Sequence, residues 1–359
     1  MMENCPVLII AEAGVNHNGS LETALKLVDV ATSAGADFVK FQTFVAESLV
    51  TKDAPKANYQ IAQTGNGMSQ YEMLKSLELS HAEHKVLAAY CIEKNIRFLS
   101  TPFDLDSLKF LTDDMGLTCI KIGSGDMTNA PLLLALARQK CRVIMSTGMA
   151  SLDEIEQALG IMAFGYINEG SPNSEAFRDA YNSPKGKACL MEKVSLLHCT
   201  TEYPAPLDSI NLKAMATMLE CFGLPVGFSD HSKGATASVA AVALGACIIE
   251  KHITLDHSMD GPDHMASMEP DDFTAMVQAI RDVECALGDG NKLPASIELA
   301  NKIIARKSLV ALRPISKGEV FTEENLTVKR PEFGVPAINY FDWLGQQADR
   351  NYDVDEVIS

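Results

Sequence analysis

Eight short, apolar, β-branched runs, each followed by a stretch of helical periodicity, constrain this chain more than any other feature. The runs cover residues 7–13, 37–42, 97–101, 118–123, 142–146, 193–199, 225–230 and 246–252, and their length and composition read as buried strands. Between them the period lengthens. Residues 20–34 place Leu21, Leu25, Val28 and Ala31 on one face, 152–163 begin behind a Ser151 cap, and 235–244 follow the seventh run. Eight such units in about 290 residues predict an α/β fold, the closed (β/α)8 barrel, which typically takes about 250 residues. A doubly wound open sheet is the alternative, but no Gly-rich phosphate fingerprint follows the first strand.

Two stretches interrupt the repeat. Residues 44–76, polar and glycine-containing, follow the second strand, on the face where barrels build their sites, and are a substrate-loop candidate. Residues 169–187, rich in Ser, Asn, Pro and Gly, precede the sixth strand on the opposite face. After Gly288-Asp289-Gly290 short strands alternate with turns at Ser316-Lys317-Gly318, Asn325 and Pro331. The expected division is a barrel over 1–290, a linker over 291–305 and a small, largely irregular or β module over 306–359.

Charge and cysteine usage exclude several classes of function. A net charge of −17 repels nucleic acid and anionic lipid over a Debye length of about 10 Å, while leaving room for small anions gathered by local lysines. The nine cysteines show no CxxC or CxxxC spacing, which argues against a disulfide framework or zinc-thiolate cluster and for reduced, cytoplasmic thiols. The opening Met1-Met2-Glu3-Asn4 is acidic, and the apolar run from Pro6 to Ala11 is too short for a signal or membrane segment.

In a parallel barrel the reacting groups sit at the C-terminal ends of the strands, so the residues closing each run carry the functional argument. Strand one ends at Glu12, strand two carries Lys40 and Gln42 two apart on one face, and strand four carries Lys121 and reaches Ser124. Strand five closes on Ser146, strand six on His198, strand seven on Ser229-Asp230-His231, and strand eight on Glu250-Lys251-His252. His231 and His252 end neighbouring strands and can converge on one divalent ion, Mn²⁺ by donor type, with Mg²⁺ or Co²⁺ as substitutes; each can equally be a hydrogen-bonded histidine. His198 fits hydrogen bonding better than ligation. Lys40 and Lys121 need anionic neutralisation in an apolar mouth. A bound phosphate or carboxylate can supply it, with Ser124, Ser146 and the glycine amides at 123, 125 and 148 as donors; so can Glu12, Asp126 or Glu250. Asp263, in Gly261-Pro262-Asp263-His264, sits on a sharp turn that faces either the mouth or solvent. Tyr203 can cover a sugar or pack in the core.

Taken in order, these strings resemble the N-acetylneuraminate (sialic acid) synthase family, close to its legionaminate and pseudaminate synthase branches. The resemblance runs through Ile10-Ala11-Glu12-Ala13-Gly14-Val15-Asn16-His17-Asn18-Gly19, Val39-Lys40-Phe41-Gln42-Thr43, Ser100-Thr101-Pro102-Phe103-Asp104, His198-Cys199-Thr200-Thr201-Glu202-Tyr203-Pro204, Ser229-Asp230-His231 and Gly261-Pro262-Asp263-His264. The tail from Arg306 to Pro331 resembles the antifreeze-like (SAF) domain of that family. The resemblance implies Mn²⁺ on His231 and His252. It implies phosphoenolpyruvate on Lys40, Lys121, Ser124, Ser146 and Ser229, with Gln42, Tyr203 and Asp263 facing the sugar. It also implies a domain-swapped homodimer that brings Arg330 over the sugar of the partner barrel. Ser124-Gly125-Asp126 departs from the family's Ser-Gly-Glu, so Asp126 has a shorter reach to substrate. The implied reaction condenses phosphoenolpyruvate with N-acetylmannosamine, Glu12, Lys121 and Glu250 acting as the catalytic groups; a 2,4-diacetamido-2,4,6-trideoxy hexose is the alternative sugar. Two rival readings are a Schiff-base aldolase using Lys121 or Lys251 and a non-catalytic sugar-binding barrel.

Overall fold

Alternation of side chains along each strand sorts the eight runs into an inner and an outer face, and this sorting builds the first of two units. The computed structural model of the chain describes residues 6–65, 67–167 and 170–359; the acidic residues 1–4 and Glu169, where the polar stretch before the sixth strand begins, lie outside the described residues. The strands are β1 (Leu8–Gly14), β2 (Phe38–Thr43), β3 (Arg97–Pro102), β4 (Cys119–Ile122), β5 (Arg142–Ser146), β6 (Val194–Cys199), β7 (Val226–Asp230) and β8 (Ile248–His252). All pair in parallel in the order β3-β2-β1-β8-β7-β6-β5-β4, and β4 lies beside β3 to complete the ring. This is the (β/α)8 barrel expected from the sequence.

The inner face carries a layer of Ile10, Phe38, Leu99, Ile144, Leu197 and Ile248. The outer face, including Ile9, Val39, Phe41, Ile120, Val143, Leu196, Phe228 and Ile249, packs on the surrounding helices. Those helices begin where short polar side chains cap them. Ser20 accepts from the Thr23 amide ahead of Leu21–Ser33, and Ser151 accepts from the Glu154 amide ahead of Leu152–Ile167. No helix among the described residues is long and apolar enough to cross a membrane.

Both interruptions of the repeat are more regular than their composition suggests. The segment after β2 contains three short helices, Ala46–Leu49, Asn58–Thr64 and Gln70–Leu77. The polar stretch before β6 holds Ser174–Asn182, capped by Asn173, and Pro184–Lys193, capped by Ser183 with proline at its first position; here cap chemistry prevails over loop-like composition.

The second unit spans Asp289–Ser359. What reads as a linker contains the amphipathic helix Glu298–Ala305. Beyond it β9 (Ser308–Ala311) pairs antiparallel with β10 (Leu326–Lys329), and isolated bridges tie Ile315 to Tyr352 and Val310 to Val357. Leu309, Ile315, Phe321, Leu326, Tyr352 and Ile358 form its core.

Gly227 shows how tightly the ring is packed: a Cβ there would stand 2.4 Å from the Ile248 carbonyl oxygen and 2.7 Å from Leu197 Cδ2. Gly227→Ala is therefore expected to destabilise the barrel by about 1–3 kcal/mol, read as a lower urea midpoint at unchanged slope. An unshifted midpoint would contradict this packing.

Candidate active site

One step above the apolar inner layer, toward the C-terminal ends of the strands, every strand contributes a polar or thiol side chain. Glu12, Lys40, Thr101, Lys121, Ser146, Cys199, Ser229 and Glu250 each follow, by two residues, an inner-face position of the strand that bears them. Lys40 Nζ lies 3.3 Å from Glu12 Oε2 and 3.1 Å from Glu250 Oε2. Lys121 Nζ lies 3.7 Å from Glu250 Oε1 and donates to Ser146 Oγ at 2.7 Å and to the Ile122 carbonyl at 2.9 Å. Ser229 Oγ donates to Glu250 Oε1 at 2.9 Å. Both lysines thus have carboxylate partners, and of the two sources of neutralisation open from the sequence the protein's own glutamates are in place.

The pairing is unequal. Burial pushes the Glu12 carboxyl up to about 7 against the pull of Lys40. Burial works in the same direction on Glu250, but Lys121, Lys40 and the Ser229 hydroxyl overcome it and hold that carboxyl below the ordinary range. Burial brings Lys121 down to about 8, whereas on Lys40 the two glutamates outweigh burial and raise the ammonium. One carboxylate is firmly ionised and the other titrates near neutrality.

His231 and His252 do converge, their ring centroids 5.6 Å apart. Burial lowers His231 to about 4 and, aided by His231, takes His252 well below its usual value, so both imidazoles are neutral. The His231 Nδ1–H donates to the Thr200 carbonyl at 2.7 Å, which leaves Nε2 as a lone pair. Ser229 Oγ stands 3.3 Å from that nitrogen, but its single proton is engaged by Glu250. Among the described residues His252 Nδ1 is buried without a hydrogen-bond partner. A neutral nitrogen with no proton donor and a second orphaned nitrogen are what a divalent ion would satisfy. Two imidazoles alone would leave the other coordination positions of an ion open; among the described residues no three His, Cys, Asp or Glu side chains gather as a metal cage.

A cavity of about 290 Å³ stands over this layer, lined by both histidines together with Gln42, Ser124, Tyr203 and Asp263. The Tyr203 ring lies tilted by 31° against His231 with centroids 4.2 Å apart. Asp263 is buried rather than on a surface turn, 4.0 Å from His252 Nδ1, and burial raises its carboxyl to about 6. Gln42 Nε2 reaches Glu12 Oε1 at 3.4 Å. Ser124 Oγ accepts from the Gly148 amide at 3.0 Å and meets Cys199 Sγ at 3.1 Å. A Cβ on Gly148 would come within 2.3 Å of Thr201 Oγ1, so only glycine lets these strand ends approach.

Several other residues lie elsewhere. Asp126 does not line the cavity: it ends the turn Ser124–Asp126 and accepts from Asn129 Nδ2 at 2.9 Å. His198 is on the outer face, bonded through Nε2 to the Ile210 carbonyl at 2.6 Å. Lys251 also points outward, fully buried against Asp230 at 3.0 Å, and is therefore no Schiff-base nucleophile for the mouth. Arg330, exposed, belongs to the second unit. Thr101, buried and lining the cavity with a hydroxyl that has no partner among the described residues, does not stand out in the sequence, although two-residue spacing from Leu99 is the signal that places it inward.

A family model of the NeuB family matches residues 27–292, and one of the SAF domain matches residues 306–358. The chain belongs to the NeuB family. Within the NeuB family it is 48% identical, over 98% of both chains, to the N,N'-diacetyllegionaminic acid synthase of Campylobacter jejuni. It is 34% identical, over 98% of this chain and 95% of the other, to a pseudaminic acid synthase of Campylobacter jejuni. The solved N-acetylneuraminic acid (sialic acid) synthetase of Leptospira borgpetersenii, in complex with citrate, superposes with a TM-score of 0.66 at 34% identity, covering 83% of this chain and 90% of that one. Like its NeuB family relatives the chain is an enzyme, a phosphoenolpyruvate-dependent sugar-acid synthase of the transferase class.

Because burial raises Glu12, that carboxyl keeps its proton in the folded protein between about pH 4.5 and 7, where the unfolded chain has lost it; its own contribution to stability falls as pH rises through that window, opposite in sign to that of the buried His231 and His252. Glu12→Gln should remove this contribution, so that the change in stability from pH 5 to pH 8, read from urea unfolding, is more positive than in wild type, and carbon-detected NMR should place the Glu12 midpoint near 7. A midpoint at the ordinary carboxylate value would contradict the assignment.

Proposed function

We propose that this enzyme condenses phosphoenolpyruvate with the open-chain form of a 2,4-diacetamido-2,4,6-trideoxy hexose, releasing phosphate and a legionaminate-type nonulosonic acid. The observation that carries the reaction class is the pair of buried lysines beside two neutral, convergent imidazoles. The choice of sugar rests on the 48% identity to a legionaminic acid synthase over nearly the whole chain. That likeness favours the trideoxy sugar over N-acetylmannosamine, the leading expectation from the sequence, which has support at the level of the family.

On this reading Lys40 and Lys121, with Ser124, Ser146 and Ser229, hold the phosphate and carboxylate of phosphoenolpyruvate. A divalent ion, Mn²⁺ with Mg²⁺ or Co²⁺ as substitutes, would sit on His231 and His252 and supply Lewis acidity to the sugar's aldehyde oxygen. Gln42, Tyr203 and Asp263 orient the sugar so that phosphoenolpyruvate C3 faces its aldehyde carbon. The C–C bond forms as the C2=C3 π electrons attack the aldehyde carbon, whose oxygen takes up a proton to become a hydroxyl; a water oxygen adds at C2, and collapse of the C2 hydroxyl to the ketone, its proton leaving with phosphate, breaks the C2–O bond. Glu12, whose carboxyl titrates near neutrality, takes the water's proton. Glu250 keeps Lys121 charged and positioned. Arg330, carried on the second unit, reaches the sugar's N-acyl group of the partner subunit in a domain-swapped homodimer, and the enzyme works in the cytoplasm with its thiols reduced.

Phosphate release from phosphoenolpyruvate with each sugar tests the reaction directly. His231→Ala and His252→Ala should each lower metal-dependent turnover at least about 100-fold while leaving the melting temperature of the metal-free protein within a few degrees; near-normal turnover in either would overturn the site. Mixing His252→Ala with Arg330→Ala protein should restore activity that neither has alone, and absence of any restoration would exclude the exchanged second unit.

A further inference from the structure

One wall of the cavity is left unused by the chemistry above, and it is apolar. Leu49, Met73, Leu74 and Leu77, from the segment between β2 and β3, line the cavity with Val15 and Phe103. These six belong to a hydrophobic cluster separate from both the inner and outer layers of the barrel. Clusters of this kind under a long loop usually serve the loop's own folding, but this one faces the site. Among the described residues, the segment contributes no charged side chain to the cavity. It does contribute two amides, Gln60 and Gln70. Gln60 is only 9% exposed, and its Oε1 accepts from the Ala57 amide at 2.9 Å, a bond that leaves its NH₂ group as a donor.

Such a wall discriminates between sugars by what it leaves unsatisfied. A hydroxyl moved from water onto aliphatic side chains loses its hydrogen bonds and is disfavoured there, whereas a methyl in the same place gains from burial. With phosphoenolpyruvate over the lysines and the aldehyde at the imidazoles, the far end of the sugar is what remains for this wall. N-acetylmannosamine presents hydroxyls at C4 and C6 there. A 2,4-diacetamido-2,4,6-trideoxy hexose presents an acetamido group and a methyl.

We propose that the helices Asn58–Thr64 and Gln70–Leu77, with Leu49, read the far end of the sugar: Leu49 and Leu74 take the C6 methyl, and the Gln60 amide donates to the carbonyl of the C4 acetamido group. The inference deepens the reading given above and rests on it. Leu49 and Leu74 are half-buried, whereas Met73 and Leu77 are each 5% exposed and hold the cluster together, so Leu74 is the position to change.

The test is phosphate release from phosphoenolpyruvate by wild type, Leu74→Gln and Gln60→Glu, each with both sugars. Leu74→Gln should lower the ratio of kcat/KM for the trideoxy sugar over that for N-acetylmannosamine by about tenfold or more, with the KM for phosphoenolpyruvate unchanged. Gln60→Glu keeps the acceptor for the Ala57 amide but loses the donor; it should weaken the diacetamido sugar selectively and remains informative if Leu74→Gln melts early. An unchanged ratio in both variants, in an enzyme that prefers the trideoxy sugar, would overturn the wall as the reader and leave the reaction standing. A wild type preferring N-acetylmannosamine would overturn the wall and the choice of sugar, and one inactive with both sugars would overturn the reaction as well.

Discussion

The site depends on four charges held inside a barrel: Lys40 and Lys121 against Glu12 and Glu250. Stripped of partners, each would cost several kcal/mol to keep from water. Glu250 is the centre of the arrangement, touching both ammonium groups and the Ser229 hydroxyl, and its ionisation is secured by them. Among the described residues Glu12 has a single lysine within ion-pair distance, and burial prevails there, so it is the member that yields its charge. Near neutrality the layer therefore carries two cations opposed by one full and one partial anion. That imbalance lets pairing with the protein's own glutamates coexist with attraction for an anionic substrate, whose arrival would complete the neutralisation.

The histidines depend on the same layer through the sheet register. His252 pairs with Glu12 across β8 and β1, and Ser229 pairs with Glu250 across β7 and β8. The sheet register thus sets His252 one step above Glu250 and level with Glu12, whereas His231 is the first residue past the end of β7 and its ring is held by the bond from Nδ1 to the Thr200 carbonyl. Ser229 couples the two levels: its proton goes to Glu250, and its oxygen faces the His231 lone pair. A change in the charge of Glu250 would reach His231 through that hydroxyl.

Much of this was legible in the sequence because a buried strand with a polar end is conspicuous. Lys40, Lys121, Ser146, Glu250 and His252 stand out as exceptions to otherwise apolar runs, and closure of the sheet brings such exceptions together. Strict two-residue spacing carries further than their mere proximity to strand ends: counted from the inner-layer residues Leu99, Leu197 and Ile248, it sends Thr101 inward and His198 and Lys251 outward. Other features were hidden for physical reasons. Which carboxylate meets which lysine is decided by the ring's closure, not by spacing. Asp126 looks equivalent to its neighbours until the turn Ser124–Asp126 hands it to Asn129. The helices at Ser174–Asn182 and Glu298–Ala305 sit in segments whose composition suggests loops, since cap residues weigh little in composition and much in hydrogen bonding.

The apolar wall was hidden most completely, and the reason bears on how such a site divides its work. Leu49, Leu74 and Leu77 carry the same signal as any side chains that pack a short helix onto a core; only the cavity beside them gives them a second surface. Strand ends, locked by register on both sides, hold charges to within a fraction of an ångström, which suits chemistry whose geometry must not vary. A segment outside the strands, as 44–77 is after β2, can change the shape and polarity it presents without disturbing those charges. A barrel that keeps one reaction while taking different sugars needs that separation. Here the charged layer lies on the strands, and the surface free to differ lies on the loop.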